Sequence, residues 1–157
     1  MANVIPFGKP PKQGRSSTLT FEILRVDQHV WHQFLEFALE SQFLVLQALS
    51  GFESDNLDRC TCYAFITTFS RVGVMLGSGT EGPIRIELEP FEVPVLILGL
   101  QHFLSVGRTL VNEEYEAKRY ERNCAVYMDK ITDASKYFLN EAYYLGELKK
   151  YAKTFIG

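Results

Sequence analysis

Leu19, Phe21 and Ile23 alternate with Thr18, Thr20 and Glu22, the period-two pattern of a strand with one face buried. This pattern predicts a strand over 18–26. Ile84, Ile86 and Leu88 alternate in the same way with Arg85, Glu87 and Glu89, predicting a second strand over 84–89 that Pro90 ends. Residues 72–76 either continue the preceding helix or form a third strand; the strand is favoured because Gly73 weakens a helix and the following Gly77-Ser78-Gly79-Thr80-Glu81-Gly82-Pro83 is turn chemistry. These two or three segments are expected to form a small antiparallel sheet.

The rest of the chain follows helical spacing. Asp27 offers an N-cap and Gly51 a stop for a helix of about 23 residues. Its apolar positions fall in two stripes, Val30, Phe34, Phe37, Leu44, Ala48 and Trp31, Leu35, Ala38, Leu46, Leu49. A helix apolar over most of its circumference is expected to be the central element of the core. A second helix is predicted from Ser54 or Asp55 to Phe69. A third starts near Glu92, with Pro94 in the first turn, where a missing N–H costs nothing, and runs to Val106 or Gly107. Its apolar stretch, 91–106, contains Glu92, Pro94, Gln101 and His102 and is shorter than the ~20 residues a membrane span needs. It reads as a core helix.

From Arg108 onward there is no proline, and Gly146 is the one glycine before the last residue. Tyr120, Cys124, Tyr127, Ile131, Ala134, Phe138, Ala142, Leu145, Leu148, Ala152 and Phe155 recur every three or four residues, a seam of coiled-coil type. Thr132-Asp133 offers a cap that would divide the segment into two helices. The expected fold is therefore mainly α (α+β at the margin): a four- to five-helix bundle around a central apolar helix, with a small antiparallel β element. Residues 1–17, with Pro6, Pro10, Pro11, Gly8 and Gly14, read as an extended arm ahead of a single helical domain, 18–157.

Charge changes this picture at one end. The net charge of −3 offers no global attraction to nucleic acid or to an anionic membrane. Residues 1–21 nevertheless carry Lys9, Lys12 and Arg15 and no acid, so the arm is basic and the remainder acidic. The arm is a candidate for salt-sensitive phosphate contacts, though no helix-turn-helix, zinc finger or stacking module accompanies it. Three cysteines, Cys60, Cys62 and Cys124, make no disulfide framework and point to the reducing cytoplasm.

Candidate chemistry is sparse. His29, His32 and Glu36 fall on neighbouring positions of one helix, and with His102 they make a candidate metal site. No His-Glu-x-x-His or paired Glu-x-x-His motif supports it. The glycine-rich 77–82 lacks the Gly-Lys-Ser/Thr that a phosphate loop places before a helix, and Cys62 and Cys124 lack a catalytic surround. Catalysis and cofactor binding are not indicated.

The tyrosines carry the remaining signal. Seven of the eight follow residue 114, and Tyr137, Tyr144 and Tyr151 repeat every seven residues beside the seam. Tyrosine joins a large apolar ring to a polar tip and is enriched at interfaces. Gly146 would let another backbone approach. Tyr120, Tyr127, Tyr137, Tyr144, Tyr151 and Gly146 are therefore the candidate interface. The expectation is a non-catalytic protein-interaction or regulatory protein, homo-oligomeric through this C-terminal region. Its partner would be protein, itself or another, and not a membrane; nucleic acid is disfavoured. The alternatives are a metalloprotein or enzyme using His29, His32, Glu36 and His102, and an accessory nucleic-acid binder using Lys9, Lys12 and Arg15.

Overall fold

A computed structural model describes residues 18–49, 56–106, 113–136 and 141–155. The chain runs as strand β1 (Leu19–Ile23), a 3-10 turn (Arg25–Asp27), helices α1 (Gln28–Leu49) and α2 (Asn56–Leu76), strand β2 (Ile84–Leu88), then α3 (Glu92–Ser105), α4 (Glu114–Lys136) and α5 (Glu141–Lys153). The expected class holds: the described residues are mainly helical, with five α-helices and one two-stranded antiparallel sheet.

The sheet forms as the alternation dictates. Leu19 pairs with Leu88, Phe21 with Ile86 and Ile23 with Ile84, and these six side chains are buried on one face. β1 is shorter than expected. The backbone N–H of Leu24 donates to the Tyr127 hydroxyl at 3.0 Å, and the chain then turns into the 3-10 segment. Residues 72–76 correct the expected third strand, since α2 continues to Leu76. Val72 and Leu76 lie one turn apart and both are fully buried, and Gln28 Nε2 donates to the Leu76 carbonyl at 2.9 Å. Gly73 lies over Leu35, where an added Cβ would sit at ordinary contact distance, 3.9 Å from Cδ1.

Two contacts, Gln28 with Leu76 and Leu35 with Gly73, place α1 and α2 antiparallel as a helical hairpin. α4 lies on α3 and β1, and α5 lies on α2 and α3. Trp31 is the hub of the core: its ring meets Phe34 at 5.3 Å and Tyr127 at 5.5 Å, both edge-on, and Phe21 at 6.1 Å. Full burial of each such ring is worth roughly 2–3 kcal/mol.

One buried ion pair fixes the α2–β2–α3 junction. The Glu92 carboxylate is fully buried, receives the Arg71 guanidinium, and accepts the Glu89 N–H at 2.9 Å as a helix-capping side chain. Arg71 also donates to the Glu87 carbonyl at 2.6 Å, so a single side chain ties α2 to the outer edge of β2.

The C-terminal seam is corrected in two respects. α4 runs unbroken through Thr132 and Asp133 to Lys136, and α5 starts at Glu141. Two separate helices do not share a rotational phase. Tyr120, Cys124, Tyr127 and Ile131 are buried as the spacing predicts, whereas in α5 Ala142 and Leu145 face solvent. Tyr144, Leu148 and Ala152 are the buried positions of α5. Phe138 lies outside the described residues. α1 also departs from expectation: Val30, Trp31, Phe34, Leu35 and Ala38 are buried, but no residue of α1 beyond Ala38 is. Only its first half is central.

Candidate interaction surface

Three of the six expected interface residues are interior. Tyr120, Tyr127 and Tyr144 are buried within their own subunit. The Tyr127 hydroxyl donates to Asp27 Oδ2 at 2.6 Å while accepting the Leu24 N–H, which joins α4 to the start of α1. Burial, together with the hydrogen bond to Asp27, pushes its ionisation well above the usual phenol range. The Tyr120 ring lies 5.8 Å from that of Phe103 on α3. The Tyr144 hydroxyl points to the Ser135 carbonyl at 3.4 Å, and burial pushes its pKa up to about 12. Tyr151 is half-buried, its ring stacked on Phe91 at 3.8 Å. Tyr137 lies outside the described residues. Gly146 is exposed on α5, and among the described residues nothing outside its own helical turn lies within 4 Å of an added Cβ. These tyrosines face inward because each hydroxyl or ring has a partner on a neighbouring element.

The candidate metal ligands stand apart. His29, His32 and Glu36 are exposed on α1; His102 is exposed on α3, its ring stacked on Phe37 at 5.3 Å. Among the described residues no three His, Cys, Asp or Glu side chains are grouped to hold a metal ion. Lys9, Lys12 and Arg15 lie outside the described residues.

Nor does the thiol chemistry look reactive. Cys60, Cys62 and Cys124 are unpaired and buried. Burial raises Cys62, with the Asp58 charge adding to it, and burial alone pushes Cys124 up to about 12. A thiol held neutral is a poor nucleophile and a poor metal ligand. Cys124 lines a small dent with Val30, Trp31, Phe34, Leu100 and Asn123, whose amide already donates to the Arg119 carbonyl. This dent presents no set of convergent polar groups.

What the chain does expose is apolar surface on the outer half of α1. Phe43, Leu44 and Val45 are 56%, 66% and 43% exposed. The cause is the reach of the neighbours. Phe103 touches both Phe34 and Phe37, and α3 ends two residues later at Ser105. α1 also packs on α2, and Leu39 and Leu46 are half-buried. Phe34, Ala38, Ser41, Val45 and Ala48 are spaced four, three, four and three apart, one seam of heptad type. Its first two members are buried and its last three are not.

Sequence reasoning placed Leu44, Leu46, Ala48 and Leu49 in the core and did not single out Phe43 or Val45. A signal was there to read: residues 41–52 contain no Asp, Glu, Lys or Arg, and Phe43-Leu44-Val45-Leu46 puts apolar groups on every side of the helix. Among the described residues no helix is long and apolar enough to cross a membrane. No family model, no curated protein and no solved structure matches the chain.

Proposed function

We propose that this protein is a non-catalytic protein-interaction protein whose contact surface is the outer half of the α1–α2 hairpin, in place of the C-terminal tyrosines. The observation that carries the reading is the exposure of Phe43, Leu44 and Val45 on a helix whose seam is sealed up to Ala38. Leaving such side chains in water forgoes about 25 cal/mol for every Å² that a partner would cover. Exposed apolar patches mark protein contacts in soluble domains. The unpaired thiols suit a reducing compartment, and we assign the protein to the cytoplasm on that ground.

The experiment compares wild type with Leu44→Arg and Val45→Arg, each tagged, as bait for native extract and for a differently tagged copy of the chain. Both positions are exposed, so the variants are expected to keep wild-type stability within about 0.5 kcal/mol. The expected result is a bound protein that the wild type retains and both variants lose. Identical retention by all three baits would refute the reading.

A further inference from the structure

We infer that the proline-rich arm of this chain, at Lys9-Pro10-Pro11-Lys12, docks on a strip of aromatic rings formed by Phe91, Tyr151, Phe155 and Tyr63. The strip contains no residue of α1, so the docking stands or falls independently of the reading above.

Three helices contribute to the strip. The Phe91 ring, just before α3, stacks on Tyr151 of α5 at 3.8 Å. Tyr151 meets Phe155 edge-on at 5.3 Å, and Phe155 lies 5.8 Å from Tyr63 of α2. One end is half-buried, at Phe91 and Tyr151. The other is open, with Tyr63 44% and Phe155 40% exposed. Stacking at the closed end holds the rings in place before anything binds. Aromatic-lined surfaces take proline-rich segments, because the polyproline II conformation is preformed and loses little entropy on docking.

Topology supplies the occupant. The arm joins β1 at Leu19, and Leu19 pairs with Leu88 in the sheet. Phe91 follows Leu88 by three residues, at most about 10 Å of chain. The described chain therefore begins beside the half-buried end of the strip. From Thr18 back to Pro11 is seven residues, about 22 Å in polyproline II geometry. That length carries Pro10 and Pro11 past Phe91 to Tyr151 and Phe155. A segment tethered this closely is present at about millimolar effective concentration, so even weak docking fills the strip ahead of a free competitor.

Charge does not select the occupant, nor does it oppose it. Lys149 and Lys153 lie two residues either side of Tyr151, which puts both on the far side of α5 from its ring. Lys150 is held by Glu147 at 2.8 Å. The selection is made by the prolines and the short tether.

The full-length chain tests this with a nitroxide on Lys12→Cys, since the native thiols are buried. Paramagnetic broadening is read on the ring signals of isotope-labelled tyrosine and phenylalanine. Tyr63 and Phe155 are expected to lose about half or more of their intensity, the occupancy of a millimolar contact at millimolar effective concentration. Adding Pro10→Ser and Pro11→Ser keeps the tether and removes the docking prolines, so the lost intensity should return. Tyr63→Ser, at an exposed position, should release Phe155 in the same way. Unbroadened Tyr63 and Phe155, or equal broadening with and without the prolines, would overturn the docking. Broadening of labelled rings by a nitroxide carried only on unlabelled molecules would also overturn it, since the arm would then come from a second copy.

Discussion

Gly99 sits in the middle of α3, facing the two phenylalanines that join α3 to the α1–α2 hairpin. A Cβ built there would lie 2.9 Å from Phe69 Cζ, 3.0 Å from Phe69 Cε1 and 3.3 Å from Phe34 Cζ. Neither ring can give way easily. Phe69 is held edge-on between Phe34 at 6.2 Å and Phe65 at 5.9 Å, and both Phe34 and Phe69 are buried. Gly99→Ala therefore combines two opposed effects. Alanine in a helix interior gains about 1 kcal/mol over glycine, and overpacking a closed core costs about 1–3 kcal/mol. The net expectation is destabilisation by up to about 2 kcal/mol, since the clash involves ring atoms with nowhere to swing. For a chain of this size that lowers Tm by up to roughly 8 °C. Gly146→Ala is the matched control: the glycine is helical and exposed, with nothing within 4 Å of the added carbon. It should stabilise by about 0.5–1 kcal/mol. Urea unfolding of both variants reads the two signs, with unchanged m-values required for the comparison. If Gly99→Ala stabilised as Gly146→Ala does, the close approach of α3 to Phe34 and Phe69 would be wrong.

The remaining predictions concern polar ties and pH. Arg71→Ala strips the fully buried Glu92 of its guanidinium, and after allowance for the partial exposure of Arg71 it should cost about 2–3 kcal/mol in urea unfolding; a cost below 0.5 kcal/mol would show the junction does not depend on the pair. Tyr127→Phe leaves Asp27 without its donor and the Leu24 N–H without its acceptor, and should lower stability by about 1–2 kcal/mol at neutral pH. Alkaline pH should unfold the protein through its buried phenols and thiol. Burial raises Tyr144 from 10.0 to about 12 and Cys124 from 9.0 to about 12. The unfolded chain therefore releases these protons first, and between the two values it binds fewer protons than the folded one. Their contribution is complete below pH 9 and is lost as pH rises towards about 12. Urea midpoints that stay level from pH 8 to pH 11 would contradict this burial, and Tyr144→Phe should flatten part of the decline.

The fold was legible wherever a short-range pattern had one outcome. Alternation at Leu19, Phe21 and Ile23 and at Ile84, Ile86 and Leu88 gave both strands, because a half-buried sheet face needs nothing more. Spacing in α4 gave Tyr120, Cys124, Tyr127 and Ile131 as buried. Patterns that depend on a neighbour failed. Residues 72–76 were misread because their cover comes from α1, where Leu35 lies against Gly73 and Gln28 holds the Leu76 carbonyl. The phase of α5 was lost because a run of threes and fours is not carried across the gap between Lys136 and Glu141.

The burial of Tyr120, Tyr127 and Tyr144 was obscured for a related reason. Periodicity reports how much apolar surface a helix carries, and neighbours decide how much of it is covered. Tyr144 and Leu148 on one side of α5, with Leu44 and Val45 on α1, look equally excessive in sequence. α5 is enclosed because it meets both α2 and α3, and Tyr151 has Phe91 to stack on. α1 is enclosed only as far as α3 reaches, and α3 stops at Ser105. A helix of 22 residues beside one of 14 differs in length by about 12 Å of helical rise. That difference matches the eight residues from Gln42 to Leu49, among which Phe43, Leu44 and Val45 are exposed. Extending α3 by two turns over this seam, with leucine at the positions facing Val45 and Ala48, should therefore cover Val45. If this artificial α3 abolished partner binding and slowed hydrogen exchange at 41–49, the missing cover would be established as the origin of the surface. Unchanged exchange there would refute it.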